Sequence, residues 1–140
     1  MDWNHIAPCG IDCVNCELFA DGGNPAVKDR MAAAMGKAVA DVECAGCRAR
    51  GGCVLHADGC ATLDCVNARG HRVCSECADF PCRKLLPMKD GAERYPHNLK
   101  AYNLAVIRSR GPEAMLEEAA ENRRLYFDGR FAIGTGPLSD

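Results

Sequence analysis

Eleven cysteines in 140 residues constrain this chain more than any other feature. They fall in groups: Cys9, Cys13 and Cys16; then Cys44, Cys47 and Cys53; then Cys60 and Cys65; then Cys74, Cys77 and Cys82. Three of the groups contain a C-x-x-C step, at Cys13/Cys16, Cys44/Cys47 and Cys74/Cys77. Two intervening residues let a tight turn aim both thiolates at one ion, with backbone N–H groups left to bond the sulfurs. Small buried hydrophobes would account for a cysteine standing outside any pair, as Cys53 does. They do not account for the clustering.

The rest of the composition sharpens this. Leu, Ile, Val and Phe together number 26, just under a fifth of the chain, while Ala alone contributes 21. That is the range in which an aliphatic core becomes doubtful. A net charge of −2 argues against disorder as the reason. Cross-linking by disulfides or by metal is the remaining way to hold such a chain. Disulfides need an oxidising compartment. The opening Met1 to Cys9 has neither the basic nor the apolar region of a signal peptide, and no apolar run is long enough to span a bilayer. An odd number of cysteines also leaves one thiol outside any complete disulfide set. The expectation is a cytoplasmic protein whose cysteines hold metal.

The length suits one domain, 1–140. Its first part, 1–95, is Cys-rich and irregular. Asn24-Pro25 reads as an N-cap followed by Pro at the first helical position, and Val27, Met31, Ala34, Met35 and Ala38 follow at helical spacing. This predicts a helix over 25–39. Short helical turns are expected at 61–68 and 79–86. A helical pair occupies 96–124: His97 to Arg110 with Leu99, Tyr102 and Val106 on one face, then Glu113 to Arg123 with Met115, Leu116 and Ala119 inward. Its acidic outer face reads as solvated surface. In 125–140, Asp128-Gly129 between apolar runs predicts a short hairpin. The fold class expected is mainly α, a small irregular metal-stabilised domain with a C-terminal helical pair and a short terminal β-hairpin.

Other chemistry is thin. The sequence has no nucleophile elbow, no phosphate-binding loop with its Lys, and no H-E-x-x-H. An aromatic fraction of 6% and a pI near 6.1 give no nucleic-acid signal. Cys9-x₃-Cys13-x₂-Cys16 matches the three-cysteine motif of radical S-adenosylmethionine enzymes. Their barrel of βα units needs more chain and a strand pattern absent here.

Cys9-Gly10-Ile11-Asp12-Cys13-Val14-Asn15-Cys16, Cys44-Ala45-Gly46-Cys47-Arg48, the pair Cys60 and Cys65, and Cys74-Ser75-Glu76-Cys77-Ala78-Asp79-Phe80-Pro81-Cys82-Arg83-Lys84-Leu85 together resemble a bacterial and archaeal family, domain of unknown function 3795. Asn98-Leu99-Lys100 and Gly111-Pro112-Glu113 extend the resemblance, so that it covers roughly residues 6–122. The resemblance implies a small cytosolic Cys-rich protein that binds metal. Many members continue into another C-x-x-C after the helices; here that place holds Asp128-Gly129. Cys53 has no counterpart in the motif.

The expected metal ligands are therefore Cys9, Cys13, Cys16, Cys44, Cys47, Cys60, Cys65, Cys74, Cys77 and Cys82. These ten fill two Cys₄ sites with two left over, or three sites if His56 and His71 join. Both histidines read first as ordinary loop residues. Zinc is the expected cofactor, because closed Cys₄ sites on paired C-x-x-C turns are its usual mode. An iron–sulfur cluster, for electron transfer or redox sensing, is the alternative. The functional expectation is a non-enzymatic module that engages a protein partner, with no membrane and no strong nucleic-acid role; nothing in the pattern sets an oligomeric state. A thiol-dependent enzyme using Cys53 or Cys82 is a third possibility.

Overall fold

A computed structural model of the chain describes residues 1–56 and 58–138. It is mainly helical, with a terminal antiparallel hairpin. In chain order the helices are α1 (Pro25–Met35), α2 (Val39–Val42), α3 (Cys47–Arg50), α4 (Ala61–Ala68), α5 (Lys100–Arg110) and α6 (Pro112–Asp128). Strands β1 (Phe131–Ala132) and β2 (Gly136–Pro137) follow, with Phe131 opposite Pro137 and Ala132 opposite Gly136. Short 3₁₀ turns occupy Trp3–His5, Cys74–Glu76, Arg83–Leu85 and His97–Leu99.

Helix α1 starts as its sequence dictates. The Asn24 side chain accepts from the Ala26 and Val27 N–H groups, at 3.1 and 3.4 Å, with Pro25 at the first helical position. It ends earlier than the 25–39 expected. Gly36 turns left-handed at φ 63° and its N–H bonds back to Ala32 and Ala33, closing the helix. The chain then restarts as α2. The buried contact between them includes Lys28, whose Nζ reaches Glu43 Oε1 at 3.1 Å and the Ala20 carbonyl at 3.4 Å.

The turn at 61–68 is α4, as expected. The turn at 79–86 is not helical throughout; regular structure there is confined to Arg83–Leu85. Pro81 gives no backbone N–H to a helix passing through it. Helix α5 buries Val106 as anticipated but not Tyr102, and Leu99 lies in the 3₁₀ turn before it. Asn103, Leu104, Val106 and Ile107 are buried, whereas Tyr102 is 50% exposed and its hydroxyl meets Glu118 Oε2 at 3.3 Å. Tyr102 carries a polar end that a surface position satisfies. Helix α6 runs through Asp128, beyond the Arg123 expected, so Asp128-Gly129 ends a helix and does not turn a hairpin. The hairpin lies after it, its turn lying between Ala132 and Gly136.

The main core joins α5 and α6 to the Cys-rich half: Ile6, Val73, Leu85, Leu104, Ile107, Met115 and Ala119 pack together. A second cluster holds Leu18, Ala32, Val42, Cys44 and Val54, and a third Ala7, Cys13 and Phe19. In the latter two, cysteines take places that larger aliphatics would fill. Gly10 fixes how closely the halves meet. It sits at φ 89°, and a Cβ there would lie 2.6 Å from Leu104 Cγ and 2.8 Å from the Lys100 carbonyl. The adjoining Asn103 Nδ2 donates to the Gly10 carbonyl at 2.8 Å.

Candidate metal centre

The cysteines assemble into two neighbourhoods. The first is built on the N-terminal segment. Ile6 and Asp12 pair as an antiparallel bridge, and Cys13 N–H donates to the His5 carbonyl at 2.9 Å. Buried Asp12 then holds the Cys13-x-x-Cys16 turn, accepting from Asn15 Nδ2 at 2.8 Å and from its backbone N–H at 3.3 Å. Cys44 is brought alongside by a parallel bridge to Phe19, with Cys44 N–H to the Leu18 carbonyl at 2.8 Å and Ala20 N–H to the Cys44 carbonyl at 2.9 Å. Gly46, at φ 96°, lets the next turn approach the first: a Cβ there would stand 2.8 Å from the Asn4 carbonyl oxygen. Cys47 opens α3 beyond it.

Arg48 locks this arrangement. Its guanidinium donates to the carbonyls of Trp3, Ile6 and Arg72 and lies 5.8 Å from the centre of the Trp3 ring. Burial pushes the Cys13 thiol up, and the neighbouring Cys47, Cys44, Cys9 and Cys16 add to the shift. Burial likewise pushes Cys47 up to about 12, helped by Cys9, Cys53, Cys44 and Cys60. Cys53, set apart in sequence, packs with Cys16 against the Leu18–Val42–Val54 cluster. Cys60 stands beside Gly52, whose own N–H bonds the Cys47 carbonyl. Seven thiols therefore share one region: Cys9, Cys13, Cys16, Cys44, Cys47, Cys53 and Cys60.

The second neighbourhood is smaller. Cys65 on α4, Cys74 and Cys77 around the 3₁₀ turn, and Cys82 line a cavity of about 30 Å³. Cys77 carries donors of its own. Arg69 Nη1 lies 2.9 Å from its sulfur and the Asp79 N–H lies 3.4 Å away. Asp79 in turn fixes Arg69 at 2.7 Å. Such N–H to sulfur bonds favour a thiolate. Burial pushes Cys74 up to about 12, with Cys9, Cys82, Cys65 and Cys77 adding. Cys9 thus sits between the two groups, and the Cys74 N–H to Pro8 carbonyl bond at 2.9 Å ties them together.

The ten sequence-predicted ligands are all within these two regions. Two further residues take part in the second, His71, weighed from sequence only as a ligand that could join, and Arg69, which sequence did not single out as a partner of a thiol. His71 lines its cavity, where sequence offered only nearness to cysteines. Arg69 reaches Cys77 from the end of α4, a contact without any local spacing signal. Among the described residues, no three His, Cys, Asp or Glu side chains stand close enough together, as placed, to hold an ion. The donor chemistry, clustered thiols with few competing carboxylates, fits a thiolate centre.

No helix among the described residues is long and apolar enough to cross a membrane. No curated protein and no solved structure matches the chain. The family described as Protein of unknown function (DUF3795) matches residues 5–87, which include all eleven cysteines and stop short of α5 and α6. The extent is thus less than the 6–122 expected, and the helical pair lies outside it. On a match over more than half of its length, the chain belongs to the DUF3795 family.

Proposed function

We propose that this is a non-enzymatic, zinc-stabilised module with two Cys₄ centres, Cys13/Cys16/Cys44/Cys47 and Cys65/Cys74/Cys77/Cys82. The observation that carries the reading is the cavity of about 30 Å³ whose lining includes four cysteines, from α4, the Cys74–Glu76 turn and the start of the Arg83–Leu85 turn. A water-sized occupant takes about 10–15 Å³ on this measure, so the space suits a single ion with modest side-chain rotation. Four soft thiolates are a structural zinc set, and a site closed by four protein ligands keeps no open position for substrate. The first centre pairs the two C-x-x-C turns that the Phe19–Cys44 bridge sets side by side. Cys9, Cys53 and Cys60 are then the thiols left over.

One observation favours a second reading. The first group holds seven thiols, including Cys9-x₃-Cys13-x₂-Cys16, more than one mononuclear site uses. An iron–sulfur cluster there, for electron transfer or redox sensing, would draw on three or four of them.

Metal analysis of anaerobically purified protein separates the two. The expected result is a colourless protein with about two zinc ions per chain, from four ligands per closed site. Cys65→Ser and Cys13→Ser should each remove about one ion, and Cys53→Ser none. A brown protein with iron and acid-labile sulfide overturns the zinc reading. A folded protein with neither metal overturns both.

A further inference from the structure

A sizeable cavity lies apart from the thiol groups. It measures about 500 Å³ and opens between the N-terminal turn, the Cys74–Glu76 turn and the α5–α6 corner. That is within the range of small-molecule sites. Trp3, Arg72, Ser75, Glu76, Arg108 and Glu113 carry its polar and aromatic character. Its wall is built. The Arg72 guanidinium lies over the Trp3 ring at 4.7 Å from the centre, and Glu76 holds that arginine by its Nε at 2.9 Å and its backbone N–H at 2.7 Å. Arg72 and Glu76 therefore neutralise each other.

Three groups on the same wall remain uncommitted. Ser75 is only 5% exposed, and its hydroxyl bonds no described residue. Arg108 meets the Phe80 ring at 5.7 Å but no carboxylate among the described residues. Glu113 lines the cavity without a cation of its own among them. Arg108 and Glu113 thus face one space, carry opposite charge and do not pair with each other. A ligand with charge of one sign would satisfy one and oppose the other. A ligand with both signs satisfies both.

We propose that this cavity binds a small zwitterion of the α-amino acid class, with its carboxylate at Arg108 and Ser75, its ammonium at Glu113 and its side chain toward Trp3. The inference does not depend on which metal the thiols hold. It has one structural link to them: Ser75 and Glu76 are the two residues inside the Cys74-x-x-Cys77 step, and Phe80, which Arg108 covers, lines the second thiol cavity.

Trp3 is the only tryptophan of the chain and reports on the site directly. The protein, with the metal it retains on purification, is titrated with each of the common L-amino acids while Trp3 emission is followed, and calorimetry repeats any positive titration. At least one is expected to bind saturably. The tightest is then compared with its deaminated and its decarboxylated analogues, which carry one charge each and should bind at least tenfold more weakly. Arg108→Gln and Glu113→Gln, both at exposed positions, should each weaken binding at least tenfold with circular dichroism unchanged. Absence of saturable binding by every amino acid overturns the proposal. So does an analogue that binds as well as its parent, or a variant that binds as well as the natural chain.

Discussion

Replacing Arg48 by Met removes the charge at the joint between three segments and keeps most of the aliphatic stem. The guanidinium serves the carbonyls of Trp3, Ile6 and Arg72, so the loss is three charge-assisted bonds to backbone. They are not equal. Ile6 is fully buried, and its carbonyl has nowhere to turn, which costs about 1.5–3 kcal/mol. Trp3 and Arg72 are part-exposed, water replaces Arg48 at their carbonyls, and each loses about 0.5–1 kcal/mol. The total is about 2.5–5 kcal/mol, a large share of the roughly 5–15 kcal/mol that holds a domain together. Urea unfolding of the metal-loaded protein measures it as a shift in midpoint at constant slope. Arg48→Lys should recover only part, because a point charge cannot serve three diverging carbonyls. A loss below about 1 kcal/mol for Arg48→Met would refute the view that this arginine joins the segments.

Gly10→Ala should destabilise by about 2–4 kcal/mol, from a disfavoured backbone angle plus overlap with Leu104 and the Lys100 carbonyl, again by urea unfolding. Lys28 is buried and Glu43 is not, so Glu43→Ala should cost about 1–2 kcal/mol and much less in a Lys28→Met background; a double-mutant cycle with no coupling would contradict this. Burial holds the thiols of Cys47 and Cys74 near 12 and that of Cys13 higher still, so they are protonated at pH 7 in the metal-free chain. Zinc binding should therefore release at least these three protons, two at the first group and one at the second, and affinity should fall as pH falls because protons compete for the sulfurs. Calorimetry in buffers of different ionisation enthalpy counts them, and binding without proton release would contradict the ligand sets. Chelation should unfold the Cys-rich half and lower the circular dichroism accordingly, leaving its thiols reduced; an unchanged spectrum after complete metal removal would show a fold independent of metal.

What the sequence reveals here divides by range. Local chemistry is readable: Asn24-Pro25 starts α1 where it should, and α4 lies at 61–68 as expected. Boundaries that depend on one residue's backbone, such as Gly36 ending α1, are not marked by periodicity. On α5 the pattern finds buried Val106 but misplaces Tyr102, which counts as apolar in a pattern while its hydroxyl prefers the surface. Asn103 takes the buried place, since it finds the Gly10 carbonyl. The clustering of the cysteines was legible from their spacing alone. Their grouping was not, because it follows from pairings such as Phe19 with Cys44 and Cys74 with Pro8, which no local pattern encodes.

The two thiol neighbourhoods differ in how much chain must be gathered to make them. The second draws on Cys65 to Cys82, and its longest gap is Cys65 to Cys74. The first must bring Cys16 to Cys44, a gap about three times longer, with α1 and α2 folded inside it. Closing the longer loop costs about 1 kcal/mol more in chain entropy and requires those helices to form and dock. On the proposed zinc reading, this difference favours an order of assembly. The later, more local centre can close while the earlier one is still open, so limiting metal should populate a half-loaded chain whose Cys65–Cys82 region is set and whose N-terminal segment has yet to dock against α5.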